Sequence, residues 1–226
     1  MKKDLNNLHW DREQLWKGCI LASLAHSIMV AHYPELSNEQ SWDGLNYSVQ
    51  DSSGTRGTIA FSSDYVVAAF RNDHSERLNQ VDINYDAIRL FAGAPQVVIE
   101  IAESETLQYL LDDIEGFVKP LITSSFWWTD NICFSVDSQE ILLEQGVHVL
   151  EHQFMDFEDA IDAWQEYYGM LPGQIELLIS LYSRKIARPM ETIVLSKKEI
   201  NSINSNDDIG LKESKESFGE IGIILA

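Results

Sequence analysis

"LNYSVQDSSGTRGTIAFSSDYVVAAFR", residues 45–71, decides the fold class. Leu45, Tyr47 and Val49 alternate with Asn46, Ser48 and Gln50, the two-residue period of a half-buried strand. DSSGTRG reads as a turn, TIAF as a short strand, SSD as a second turn and YVVAAFR as a third strand. The stretch predicts an antiparallel meander. Ala68 and Ala69 are small for a strand and leave room for a helix to lie close against the sheet.

The natural cover for that sheet is the helix before it, in DREQLWKGCILASLAHSIMVAHYP, residues 11–34. Asp11 is placed as N-cap with Gln14 as its capping-box partner, and Trp10 with Leu15 forms a hydrophobic staple. Leu15, Trp16, Cys19, Ile20, Leu24, Ile28 and Met29 recur at helical spacing, so the helix should run to about His32 and stop before Pro34.

Beyond the meander, YDAIRLFAG (85–93) predicts a short helix ending near Gly93, and QVVIEIAESETLQYLLDDIEG (96–116) is read as mostly helix. PLITSSFWWTDNICFSV (120–136) has the β-branched and aromatic content of one or two strands. SQEILLEQGVHVLEHQF (138–154) reads as a helix interrupted near Gly146, or as a helix followed by a strand. An acidic helix follows at 156–168, Pro172 opens another, and ETIVLS (191–196) is a strand. The fold class expected is α+β, an antiparallel sheet with its meander at 45–71, covered by helices. Residues 1–196 are taken as one domain. Residues 197–226, polar and poor in aromatics, are taken as a linker or tail closing on a short apolar segment.

Composition narrows the function classes. With 16 basic against 36 acidic residues in 226, the formal charge is −20. Such a surface cannot displace counterions from phosphates, which argues against nucleic acids and anionic membranes. It favours encounter with basic partners. Cys19 and Cys133 sit in apolar surroundings and form no disulfide framework, which points to a cytoplasmic protein with reduced thiols. The most apolar run, Cys19 to Ala31, is too short to span a bilayer. No phosphate-cradling or dinucleotide fingerprint is present, so no cofactor is expected.

Three sets of residues could carry chemistry. HVLEH, with His148, Glu151 and His152, follows the H-x-x-E-H order of inverted zinc metallopeptidases, five residues that it resembles. On a helix the two histidines would face one way and share a metal, with Glu151 as base. That arrangement implies a metal-dependent hydrolase. The third ligand cannot be placed, and Gly146 breaks the helix. A second set, Trp42, Asp43, Asn46, Gln50, Arg56, Arg71 and His74, lies on or beside the meander and could form a small-ligand site or a solvated sheet face.

The third set is the acidic helix DFEDAIDAWQEYY (156–168). Glu158, Asp162 and Glu166 fall four apart, a spacing at which like charges repel by roughly 0.2–0.5 kcal/mol per pair. Asp156, Glu158 and Asp159 are explained by the positive end of the helix dipole; Asp162 and Glu166 are not. No lysine or arginine interleaves from Glu151 to Tyr168. Phe157, Ile161, Trp164 and Tyr168 form the apolar stripe opposite. Trp127 and Trp128 add a candidate aromatic anchor, since successive strand residues face opposite ways. The expected function is a non-enzymatic acidic binding protein, comparable in composition to bacterial immunity proteins that neutralise a basic toxin or nuclease. Its partner surface would comprise Glu158, Asp159, Asp162, Glu166, Trp127 and Trp128.

Overall fold

The computed structural model describes residues 5–225, so residues 1–4 and 226 of the expected domain and tail lie outside it. In chain order the first elements are β1 (Asn6–Leu8), α1 (Arg12–Met29), β2 (Gln40–Asp43), β3 (Asn46–Gln50), β4 (Thr55–Phe61) and β5 (Val66–Asn72). There follow α2 (Gln96–Ser104), β6 (Leu111–Ile114), β7 (Phe117–Pro120), β8 (Ser124–Thr129), β9 (Ile132–Ser135) and α3 (Gln139–Glu144). The chain closes with α4 (Phe157–Tyr168), α5 (Pro172–Ala187), β10 (Ile193–Leu195), α6 (Lys197–Ile203), α7 (Asp208–Glu220) and β11 (Ile223–Leu225). This is an α+β fold. It divides into two compact units, one formed by the residues up to Arg12 with Leu45–Glu151, the other by Glu13–Gly44 with the residues from His152 onward.

In the first unit six strands run in the order β1-β9-β8-β5-β4-β3, and every described pair is antiparallel. The meander is β3-β4-β5, with Tyr47 opposite Ile59 and Ile59 opposite Ala68. Leu45 falls outside the strand and is exposed, whereas Asn46 is buried, so the alternation read from the sequence holds only from Tyr47 onward. Gly57 is opposite Phe70, and a Cβ at Gly57 would lie 2.1 Å from the Phe70 ring. Glycine is needed there because the ring crosses the neighbouring strand.

The face bearing Val67, Ala69 and Trp127 is covered by α2 and the 3-10 turns Ala87–Phe91 and Thr106–Tyr109, through Phe91, Val98, Ala102 and Leu107. The small Ala69 does admit a helix, and on this face that helix is α2. The Ala87–Phe91 turn starts where Asp86 Oδ1 accepts from Ile88 N at 3.0 Å.

The segment read as mostly helical from residue 96 is helical only to Ser104, with a 3-10 turn at Thr106–Tyr109. LLDDI then forms β6 of a hairpin with β7, turning at Glu115 and Gly116, both with positive φ (52° and 86°). Two positive-φ residues make the tight turn that matches strand twist. Glu115 is not an ordinary residue for it, which hid the hairpin from sequence reading. The β8–β9 hairpin turns in the same manner at Asp130 and Asn131, φ 52° and 61°. Those residue types do favour the left-handed region.

The second unit is built around α1, buried almost throughout from Leu15 to Met29. Its apolar residues pack with Ile161 and Trp164 of α4, Leu178 and Leu181 of α5, and Phe218 of α7. Small residues set the spacing. A Cβ on Gly18 would meet the Gln153 carbonyl oxygen at 1.9 Å, and one on Gly210 the Ala31 carbonyl oxygen at 2.3 Å.

Residues 197–225 do not form the expected linker. Ser196 and Glu199 cap α6 reciprocally, Asp207 caps α7 through Ile209 N, and β11 pairs parallel with β10. Ile203, Phe218, Ile221 and Ile223 are buried in the core. The polar composition reflects two short amphipathic helices, each with few apolar residues, of which Ile203 and Phe218 are buried while Ile209 stays exposed.

Candidate functional site

The acidic helix follows the expected pattern except at Phe157, which was expected to face the core and is exposed at 37 %. Ala160, Ile161, Trp164 and Tyr168 are buried, and Gly169 ends α4 in the left-handed conformation. Phe157 stacks on Tyr182 at 4.8 Å. Glu158, Asp159, Asp162 and Glu166 are all exposed. At 100° per residue they cover an arc of about 100° on the side away from the core. Tyr167, half-exposed at 51 %, borders the helix on the far side of Ala163 and donates to Glu39 Oε1 at 2.9 Å.

Charge pairing elsewhere makes the contrast. Arg71 holds Asp73 and Asp112, Arg77 holds Asp137, Arg184 holds Glu199 and Lys212 holds Glu216. Among the described residues none of the four α4 acids has an ion-pair partner within 4.0 Å. An ordered helix thus displays four carboxylates without an ion-pair partner among the described residues.

Trp127 and Trp128 are not part of that surface. Both are fully buried, Trp127 against Phe91 (6.0 Å) and Phe134 (6.5 Å), Trp128 against Phe126 (5.3 Å). The sheet is covered on both faces at β8, so neither tryptophan is available as an anchor.

The meander set is only partly gathered. Gln50, Arg56 and Arg71 lie side by side across three strands, bridged by Asp73, which accepts from Arg71 Nε at 2.6 Å. Arg71 also binds Asp112, whose carboxyl is held below its usual range chiefly by that hydrogen bond. Asn46 is at the other end of β3, its amide donating to Glu105 at 2.8 Å. His74 is exposed in a turn where its backbone N donates to Asn72 Oδ1. Trp42 and Asp43 belong to the second unit, where the Trp42 indole donates to Ser23 Oγ at 2.8 Å. What the sequence grouped is divided between a self-neutralised charge row and structural hydrogen bonds.

HVLEH does not lie on an α-helix. Two 3-10 turns, Val147–Leu150 and His152–Phe154, flank Glu151 after the left-handed Gly146 (φ 124°). His148 Nδ1 bonds the Leu143 carbonyl at 2.9 Å, and its Nε2 faces Thr55 Oγ1 at 3.3 Å and Asp51 at 3.8 Å. The His152 ring packs edge-on against Trp164 at 4.7 Å. Among the described residues no group of three or more His, Cys, Asp or Glu side chains is arranged to hold a metal ion.

Sequence reading missed two features of the second unit. His26 is buried on α1 with Nδ1 3.3 Å from Tyr168 Oη, and Tyr168 donates onward to Glu39 Oε2 at 3.4 Å. Burial lowers the His26 pKa from 6.5 to about 4, against a smaller opposing influence of the Ser37 backbone. Burial likewise raises Tyr168, with Glu39 adding to it. A lone histidine on an apolar helix face carries no such signal. The other feature is a groove beside α5 and β10, for which Arg184 and Arg188, four apart, were the available sign. Both cysteines are free and buried, and burial raises both thiols. Among the described residues no helix is long and apolar enough to cross a membrane.

Compared with protein-family models, with curated proteins and with solved structures, the chain has no match.

Proposed function

We propose that this chain is a non-enzymatic acidic binding protein that holds a basic protein partner on the exposed face of α4. The observation that carries the reading is the row of Glu158, Asp159, Asp162 and Glu166, exposed on an ordered helix and without ion-pair partners among the described residues. Repulsion along the row persists in the free chain and is relieved when cationic side chains dock. The formal charge of −20 adds a long-range field that draws a basic partner in. Tyr167 supplies an aromatic contact at the rim. An immunity-type role in the bacterial cytoplasm, neutralising a basic toxin or nuclease, is the task that fits this surface.

The test begins with capture from native lysate on the immobilised chain, eluted in steps of rising salt. Association of the captured protein is then timed with the wild type and with the double reversal Asp162→Lys, Glu166→Lys. The double reversal should leave the fold intact and slow association, and the wild-type rate should fall as salt rises. Unchanged association with the reversed helix, or rates indifferent to salt, would overturn the reading.

A further inference from the structure

On the second unit, the C-terminal turns of α5 and strand β10 enclose an open groove of about 480 Å³. Arg184, Ala187 and Arg188 line it from the helix, Ile193 and Val194 from the strand, and Thr192 from just before it. Clefts for small ligands run to roughly 300–1,000 Å³, so the space suits a few extended residues rather than a folded domain.

Three features of the groove bear on what fills it. The first is a free strand edge. β10 pairs with β11 on one side only, in parallel, and Ile193 N donates to the Gly222 carbonyl. In a parallel ladder alternate residues bond the same neighbour, so the N–H and C=O of Val194 point to the opposite edge. Among the described residues nothing beyond the β10–β11 ladder bonds them. An edge of this kind is a template for one more strand.

The second is apolar. Val194 and Ile224 stand opposite each other in the register and both are half-exposed, forming an outward pair on a two-stranded sheet. The third is charge. Arg184 uses Nη1 to bind Glu199 at 2.6 Å, and Arg188 uses Nη1 to bind Glu191 at 3.1 Å. Each guanidinium keeps Nε and Nη2 as donors. Each arginine is thus balanced by one carboxylate, and what the groove offers a ligand is the pair's remaining guanidinium donors.

The geometry points to a recognition site for the free C-terminus of an extended peptide, added as a strand to the edge of β10 with its terminal carboxylate on Arg184 and Arg188. Main-chain bonds to Val194 supply sequence-independent affinity and the guanidinium pair supplies the end-specificity. The overall negative field disfavours a peptide rich in acids, so the occupant is basic or neutral apart from that carboxylate. This site lies on different elements from the α4 face and stands or falls separately from the function proposed above.

The test uses the full chain and a fluorescein-labelled hexapeptide, Lys-Val-Lys-Val-Lys-Val, as free acid and as C-terminal amide, read by fluorescence anisotropy. The free acid should bind saturably, and amidation should weaken it about tenfold or more, the scale of losing a charge-assisted hydrogen-bonded pair. Arg188→Ala, at a largely exposed side chain, should weaken the free acid and leave the amide unaffected. Val194→Pro removes only the edge-facing N–H and should weaken both peptides; unchanged far-UV circular dichroism establishes that the variant is folded. A Val194→Ala variant that weakens binding less than Val194→Pro, with the fold retained in each, attributes the effect to the N–H. Absence of saturable binding, equal affinity for acid and amide, or loss of the site to a concentration-dependent dimer through β10 would each overturn the proposal.

Discussion

His26 makes the stability of the second unit depend on pH in a way that one substitution isolates. It is buried at 1 % exposure on α1, faces Tyr168 of α4, and reaches Glu39 only through the tyrosine hydroxyl. Its pKa falls from 6.5 to about 4, principally because burial disfavours the imidazolium. In the unfolded chain the ring takes a proton below about pH 6.5, whereas in the folded chain it resists until about pH 4. The folded state is therefore favoured above the unfolded pKa, and that advantage is lost as pH falls from 6.5 to about 4. Between about pH 7.5 and about pH 4.5 the linkage removes about 2.5 kcal/mol. Protonation of carboxylates over the same range relieves the repulsion of a chain at −20 and acts in the opposite direction. A single pH series on the wild type is consequently ambiguous. Urea unfolding of the wild type and of His26→Gln at the two pH values separates the effects, since the carboxylate contribution is common to both. Whatever His26→Gln costs at neutral pH, its deficit should shrink by about 2.5 kcal/mol at the lower pH. Parallel loss or gain in the two proteins, within about 0.5 kcal/mol, would refute the buried neutral histidine.

Gly18→Ala sets helix propensity, worth about 1 kcal/mol, against a Cβ placed 1.9 Å from the Gln153 carbonyl oxygen, and overpacking at about 1–3 kcal/mol should win. Gly173→Ala in α5 meets nothing within 4 Å, so its urea midpoint should rise while that of Gly18→Ala falls. Phe218→Ala should cost about 3–5 kcal/mol in chemical unfolding, because Phe218 is fully buried in the helical core; a loss under about 1 kcal/mol would return residues 197–225 to the status of a tail. Metal analysis of untagged protein should find no stoichiometric zinc at His148 and His152, whose rings are taken up by Leu143 and Thr55 and by Trp164 respectively. One zinc per chain, lost on His152→Ala, would reverse that reading.

Periodicity determined the parts of this protein that depend on local chemistry. Alternation from Tyr47 onward, with glycine at the turn, was enough for the meander, since strand faces follow from two-residue spacing alone. Helical spacing was enough for α1 and α4, and Pro172 marked the start of α5. The exposure of Glu158, Asp162 and Glu166 was legible because the opposite stripe of α4 is strongly apolar. Tertiary structure decided what covers each surface. Trp127 and Trp128 could have been an anchor or a core pair, and only the packing of Phe91, Phe134 and Phe126 against them made them core. Residues 197–225 read as a tail because a short amphipathic helix needs few apolar residues, and their burial depends on partners contributed by α1 and α5. LLDDI became a strand because a partner, β7, lay across a positive-φ turn at Glu115 and Gly116. The groove beside β10 arises where a helix end and a strand edge converge, and no property of either segment alone records that meeting.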